Sequence, residues 1–386
     1  MRILYVLTSL DVGGIEKNQV RLSHELVRRG HEVTVVSSGG ALMPDLVAAG
    51  VRHIRAPVAW RSGTGLLAAA LGIRRLLMNE SFTVVHAMSA SANVATFLAR
   101  RQRRPWTYVT SPMGLQNSDR EPLAVTRLRN VLIAAGADWV LAISPQIRAG
   151  LRSVGVPSRR IVDCDLVGLE DRFFDLSTEL RHRERVRLGL SEEDSLVTTI
   201  GALQSRKSHD KFVRMAARLS KLRPRSRFIV VGEGPERHSL EDLARELGVA
   251  DRLSFPGQIA DVRPLLEATD VYIKPGIVEG FVGITVLEAM ALSRPVAAFD
   301  TRDVRLVIED GKTGALAPSG DERALAAKVD ELLTDSARAS QMASSGRAVV
   351  ERRFRIGRIV SGLEEIYGRL VDDDSRARTM SNRNHH

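Results

Sequence analysis

Several residues in this chain have types and spacings that suit chemistry on an anionic ligand. Lys207 follows the apolar run Leu196–Ile200 and the glycine Gly201, with Arg206 beside it. A cation just past the end of a buried strand suits a phosphate; the plainer alternative is a solvated lysine at a helix start. Glu279 and Glu288 are separated by eight residues that include Gly280 and Gly283. A glycine-rich turn ahead of a helix presents backbone N–H groups to anions, although either carboxylate could equally sit on a helix face. Gly13 and Gly14 follow the first apolar run; they either let the backbone approach a ligand or simply make a tight turn. His86 closes another apolar run, where it is either structural or turned toward a ligand.

Charge narrows the choice of partner. The formal net charge is +10, and residues 1–165 carry it: they hold 21 Lys and Arg against 11 Asp and Glu, while the rest is balanced. A basic surface attracts phosphates, nucleic acid or anionic lipid. No nucleic-acid recognition module accompanies the charge, so nucleic acid is not expected. Arg100-Arg-Gln-Arg-Arg-Pro-Trp106, with the short apolar stretch Leu66–Met78 broken by Arg74 and Arg75, could seat this half on an anionic membrane, or could be a solvated helix end. The single cysteine, Cys164, allows no disulfide within the chain and fits a reducing compartment. The opening apolar run is too short for a secretory signal, and no run approaches a membrane span. A cytoplasmic protein is expected, either free or peripheral on the inner membrane face.

The elements that must position these residues alternate. Arg2–Thr8 reads as a buried parallel strand, then a glycine turn, a helix over 16–29 stopped by Gly30, and a strand over 31–36. Short strands follow at 83–86, 106–110 and 139–143. The rhythm lapses over 166–194 and resumes with strands at 196–200, 227–231, 252–255, 271–273 and 296–299. Pro235 suits a first helical position. The end, about 341–370, is helical, and a polar tail follows from 372. This is an α/β chain of two doubly wound parallel sheets. The boundaries are a first domain at 1–168, a crossover at 169–194, a second domain at 195–350, a closing helix at 351–371 and a tail at 372–386.

Ordered motifs then carry a resemblance. Val231-Gly-Glu-Gly-Pro-Glu-Arg237, Asp251-Arg-Leu-Ser-Phe-Pro-Gly257, Glu279-Gly-Phe281, Leu287-Glu-Ala-Met290 and Asp310-Gly-Lys-Thr-Gly314 run in sequence. With Gly13-Gly-Ile-Glu16 and Arg29-Gly-His-Glu-Val33, the chain resembles the GT-B glycosyltransferases of the retaining family 4, also called glycosyltransferase group 1. The resemblance implies two facing Rossmann-like domains with an interdomain cleft, a last helix returning to the first domain, no required metal and no cofactor. It implies a nucleotide-sugar donor (UDP- or GDP-linked) and a glycan or lipid-linked acceptor, in cell-surface polysaccharide, lipopolysaccharide or glycolipid synthesis. A nucleotide-sugar epimerase of the same fold and a non-catalytic scaffold are the alternatives.

Glycosyl transfer builds negative charge on a leaving diphosphate and positive charge on the sugar, so a site must neutralise the one and position the other. By the resemblance, Lys207 meets the diphosphate, with Arg206 beside it, because the arginine usual five residues before Lys207 is Ala202 here. Glu288 accepts from the ribose hydroxyls and Glu279 faces the donor sugar. Gly283, Ile284 and Thr285 form the phosphate turn; Gly14 and Gly234 allow close approach. The family spaces its two glutamates by seven residues, so Val282 reads as an insertion; Gly280 in the place of the first glutamate is the other alignment. Met113 stands about where the family often carries a histidine, which leaves His86 as the catalytic candidate of the first domain. Arg302-Asp-Val-Arg305 replaces a stretch that usually has two glycines and Pro-Glu. Asp163-Cys-Asp165 matches a metal pattern of a different transferase fold and reads as a chance occurrence in a charged linker.

Overall fold

The computed structural model describes residues 1–11, 13–58, 63–100, 104–112, 136–277 and 282–383. It divides into two compact units, Met1–Gly168 with Ile356–His386, and Leu169–Arg355.

The first unit carries, among the described residues, a seven-stranded parallel sheet. In chain order its elements are β1 (Arg2–Val6), α1 (Gly14–Arg28), β2 (Glu32–Ser37), α2 (Met43–Ala48), β3 (Arg52–Arg55), α3 (Gly63–Asn79), β4 (Val84–Ala87), α4 (Ala90–Ala99), β5 (Thr107–Thr110), β6 (Trp139–Ala142), α5 (Pro145–Ser153) and β7 (Ile161–Asp163). The strand order is β3-β2-β1-β4-β5-β6-β7. β1 is buried on both faces, as a central parallel strand must be when helices cover it. Gly30, at φ 84°, ends the helix–strand connection where a side chain would strain the backbone.

The second unit holds α6 (Thr178–Arg187), β8 (Ser195–Ile200), α7 (His209–Leu222), β9 (Ser226–Val231), α8 (Arg237–Glu246), β10 (Leu253–Gly257), α9 (Arg263–Ala268), β11 (Val271–Lys274), α10 (Ile284–Ala291), β12 (Val296–Phe299), β13 (Ala315–Ala317), α11 (Glu322–Thr334) and α12 (Ser336–Phe354). Its described strands form a six-stranded parallel sheet in the order β10-β9-β8-β11-β12-β13. α7 buries Phe212, Val213, Met215, Ala216 and Leu219, one stripe at helical spacing. Phe212 meets Phe228 of β9 edge to face, with ring centroids 6.4 Å apart.

Several expectations shift here. Residues 169–194 are not a bare crossover: they contain α6 and lie within the second unit. Arg181 and Arg185 of α6 both pair with Asp270, and their guanidinium groups also donate to backbone carbonyls of 267–269. The closing helical stretch is two helices, broken at Arg355, whose extended backbone (φ −60°, ψ 133°) lets Leu169 N–H reach Phe354 O at 2.7 Å. The last helix, α13 (Ile356–Arg383), belongs to the first unit and runs through the segment expected to be a tail. Polar anchors hold it there. Arg29 donates to Glu364 (2.8 Å) and to Gly357 O (2.6 Å), His31 meets Glu364 at 2.6 Å, and Thr107 donates to Asp374 at 3.0 Å. No helix among the described residues is long and apolar enough to cross a membrane.

Candidate functional site

Open parallel sheets bind ligands beyond the carboxyl ends of their strands, where the strand order reverses. In the second unit that point lies between β8 and β11. The segment leaving β8 is laced to the loop after β9 by backbone hydrogen bonds: Gly201 N–H to Val231 O (2.9 Å), Leu203 N–H to Glu233 O (2.9 Å) and Glu236 N–H to Leu203 O (3.1 Å). This close approach dictates glycine. A Cβ on Gly232 would lie 1.9 Å from Gly201 O, and one on Gly234 would lie 2.3 Å from Leu203 O. Gly234 therefore serves the packing of the two loops, whatever else it does.

Lys207 ends the 3-10 turn Ser205–Lys207 directly after this loop and is half-buried. Arg206 is exposed and its Nε donates to Gln204 Oε1 at 3.1 Å. Ser208 follows with φ 53°, left-handed backbone that costs a non-glycine residue about 1 kcal/mol, and its side chain makes no cap bond to α7. The turn and the uncapped helix start place Lys207 beside free-running N–H groups at one end of β8.

α10 starts at the same place. Gly283 stands at its N-cap with φ 92°, a backbone that glycine alone adopts without strain, and no side chain caps the helix. Thr285, in the first turn, shares a 2.7 Å hydrogen bond with the Tyr272 hydroxyl, which lies 3.4 Å from Ile200 O. The first turn of α10 is thereby fixed against β8 and β11. Ile284 and Thr285 are half-buried and Glu288 is buried one turn further on. The second unit thus gathers Lys207, Gly283, Ile284, Thr285 and Glu288 around its strand reversal. Glu279 and Met113 lie outside the described residues.

Two features escaped the sequence reading. Lys274, the last residue of β11, is buried, donates to Gly276 O (2.9 Å) and lies 3.1 Å from the equally buried Asp303. A lysine ending an otherwise apolar strand was the available signal. The pair explains the unusual Arg302-Asp-Val-Arg305 string: Asp303 answers Lys274, while Arg305 pairs with Asp300 at the surface. The second feature is His209, the first residue of α7, which is buried; nothing about its type announces that.

In the first unit, His86 is fully buried in the core, not at an open surface. Nδ1 meets the Tyr367 hydroxyl at 2.6 Å and Nε2 meets Ser111 Oγ at 2.9 Å, while Tyr367 also meets Tyr5 at 3.1 Å. Burial pushes its pKa down to about 3. This corrects the catalytic placement: β4 directs the ring beneath the sheet, toward α13, and the geometry is that of a neutral structural imidazole. Open space at this unit's own strand reversal lies elsewhere. A cavity of about 240 Å³ is lined there by Thr8, Ser9, Ile15, Glu16, Met88 and Ser89, among others. Thr8 Oγ1 bonds Ser89 (2.7 Å) and Ser91 (2.8 Å). Gly14, exposed, begins α1 one residue before Ile15 of this lining. Asp163 is taken by Arg148 (2.6 Å), and burial pushes the Cys164 thiol up to about 12. Among the described residues, no group of three or more His, Cys, Asp or Glu is placed to hold a metal.

Comparison with known proteins agrees with this geometry. The family model for glycosyl transferases group 1 matches residues 181–349, and that for the glycosyl transferase 4-like domain matches 13–162. The GDP-mannose-dependent alpha-(1-6)-phosphatidylinositol monomannoside mannosyltransferase of Mycolicibacterium smegmatis is 32% identical over 87% of this chain and 89% of its own. The N-acetyl-alpha-D-glucosaminyl L-malate synthase of Bacillus anthracis is 25% identical over 95% of this chain and 97% of its own. Among solved structures, Anabaena HepE in complex with UDP-glucose superposes with a TM-score of 0.83 at 20% identity, covering 95% of this chain and 99% of that one.

Proposed function

This chain belongs to the group 1 glycosyltransferases, and on that premise we propose that it binds a UDP- or GDP-linked sugar beyond β8 and β11 and transfers the sugar with retention. The observation that carries this reading is the uncapped α10 turn at Gly283, fixed to β8 through Tyr272 and Thr285, with the Glu288 carboxylate buried behind it. Helix N-termini hold phosphate and a buried carboxylate holds ribose hydroxyls. HepE, which shares the fold, was solved with UDP-glucose, and the mycobacterial relative's name specifies GDP-mannose.

In the reaction, the bond between the anomeric carbon and the diphosphate breaks and a bond to an acceptor hydroxyl oxygen forms on the same face. The acceptor proton passes to the departing phosphate. Lys207 and the α10 N-terminus offset the charge on the leaving group; Glu288 orients the nucleoside, and Glu279 faces the sugar. Lys207 and the helix ends supply the counter-charge without a metal. The acceptor, a glycan or lipid-linked sugar of cell-surface polysaccharide or glycolipid synthesis, suits the hydroxyl-lined cavity at Thr8, Ser9 and Ser89.

The first unit also suits a membrane surface. On α3, Leu67, Leu71 and Met78 are exposed together with Arg74 and Arg75 along one face, and Leu66, Ala69 and Ile73 are buried on the other. An exposed apolar stripe flanked by arginines fits anionic headgroups.

The test is nucleotide release from UDP- and GDP-sugars in the presence of bacterial lipid and glycan extracts. One donor should release its nucleotide only when acceptor is present. No release from any donor would contradict the reading.

A further inference from the structure

Gly201 is a glycine that the fold does not require. Its backbone is not in the left-handed region, unlike that of Gly232 or Gly283. A Cβ built on it would lie 3.5 Å from His209 Nε2, 3.7 Å from His209 Cε1 and 3.8 Å from Lys207 Cδ. Those are ordinary van der Waals distances, so an alanine fits the folded chain. Its neighbours Gly232 and Gly234 are the opposite case, since a Cβ on either would strike backbone oxygen. The absent side chain at 201 therefore leaves a small space at the end of β8, walled by an imidazole edge and a lysine stem.

The imidazole is the second observation. His209 is 1% exposed; its ring lies against the backbone of Gly201 and Ala202, yet neither ring nitrogen reaches hydrogen-bond geometry there. A buried polar group without a partner costs about 1–3 kcal/mol, and such groups persist where something else completes them. Burial, with Lys207 nearby, pushes its pKa down to about 4, so the ring is neutral near pH 7, with one N–H to donate. His209 also opens α7, a 14-residue helix with no side-chain cap, and the same spot receives the positive end of that helix. Ala202, the next residue along the loop, brings no side-chain donor.

We propose that the space over Gly201 is a phosphate-oxygen subsite, and that His209 Nε2 donates a hydrogen bond to an oxygen of the donor's diphosphate seated there, beside Lys207. The assignment rests on the nucleotide-sugar reading above and deepens it. His209 is a binding residue of the leaving group. Gly201 is kept small so that the oxygen can reach the ring edge. Two positions that do not look alike, a helix-start histidine and a strand-end glycine, thus form one subsite.

Titration calorimetry of the full chain tests this. The wild type is titrated with UDP, GDP and ADP, and the tightest of these is carried forward together with its parent nucleoside. His209→Phe keeps the ring volume and removes the donor. Gly201→Ala fills the space. Each should weaken the nucleoside diphosphate about tenfold, the size of one hydrogen bond to a charged group, and leave the nucleoside unchanged. His209→Gln, which restores a donor, should recover part of the loss. Thermal melting confirms that each variant is folded; should His209→Phe fail to fold, Gly201→Ala carries the test alone. Unchanged diphosphate binding in both folded variants, or equal losses for diphosphate and nucleoside, would overturn the subsite while the nucleotide-sugar reading stands. A wild type that binds none of the three diphosphates would overturn both.

Discussion

The hydroxyls of Tyr272 and Thr285 lie 2.7 Å apart, joining the middle of β11 to the first turn of α10. Gly283 gives that turn its left-handed entry and leaves its N–H groups uncapped; the Tyr272–Thr285 bond holds them against the end of β8. Tyr272→Phe should destabilise the chain by about 1 kcal/mol and raise the donor KM more than it lowers kcat, as measured by denaturant unfolding and donor saturation curves. An unchanged KM would mean that the turn needs no such tie.

Glu288 and Lys207 should fail differently. Glu288→Ala removes a buried carboxylate that is formed before the reaction begins, so it should weaken nucleotide binding by about tenfold or more. Lys207→Ala removes charge that matters most as the diphosphate departs, so kcat should fall further than KM rises. Steady-state kinetics of the two variants check this, and equal, normal turnover in both would place the site elsewhere.

Gly232 and Gly201 make a matched pair. Gly232→Ala drives a Cβ to 1.9 Å from Gly201 O and should cost about 2 kcal/mol or more through backbone displacement. Gly201→Ala should be neutral or slightly stabilising, since alanine restricts the unfolded chain. Thermal melting separates them; a similar loss in both would contradict the account of the loop packing.

Much of this architecture was readable before the structure. β1, its glycine turn and the Gly30 stop follow from one apolar run, the Gly13-Gly14 pair and Gly30, whereas Pro235, expected at the first helical position, lies in the turn ahead of α8, which starts at Arg237. β3 was not readable, because Arg52-His-Ile-Arg55 has the polarity of a loop and becomes a strand only by pairing with β2. The break at Arg355 carries no proline or glycine; it is imposed by the Leu169 backbone bridge. At the site, the α10 turn was legible from its glycines. His86 and His209 were not, because burial and partners, rather than residue type, decide what an imidazole does.

His86 gives a pH signature. Its folded pKa, about 3, lies below the ordinary 6.5, so below pH 6.5 the unfolded chain takes up a proton that the folded chain refuses. The stability it contributes is complete above pH 6.5 and is lost as pH falls toward 3, by about 1.4 kcal/mol per unit. His86→Gln lacks this slope, so the stability gap between it and the wild type should narrow by about 2 kcal/mol from pH 7 to pH 5. Parallel pH profiles in urea unfolding would contradict it.

Transfer should survive chelation, because Lys207 and the helix ends provide the counter-charge. Activity lost in EDTA and restored by a divalent ion would show that a metal shares this task.

The most direct test of where the donor binds is hydrogen–deuterium exchange with and without the nucleoside diphosphate that binds tightest. The account predicts slowed exchange in two segments of the second unit, 200–209 and 283–288, with little change across β12 and β13. Protection elsewhere, with these two segments exchanging as in the free protein, would contradict it.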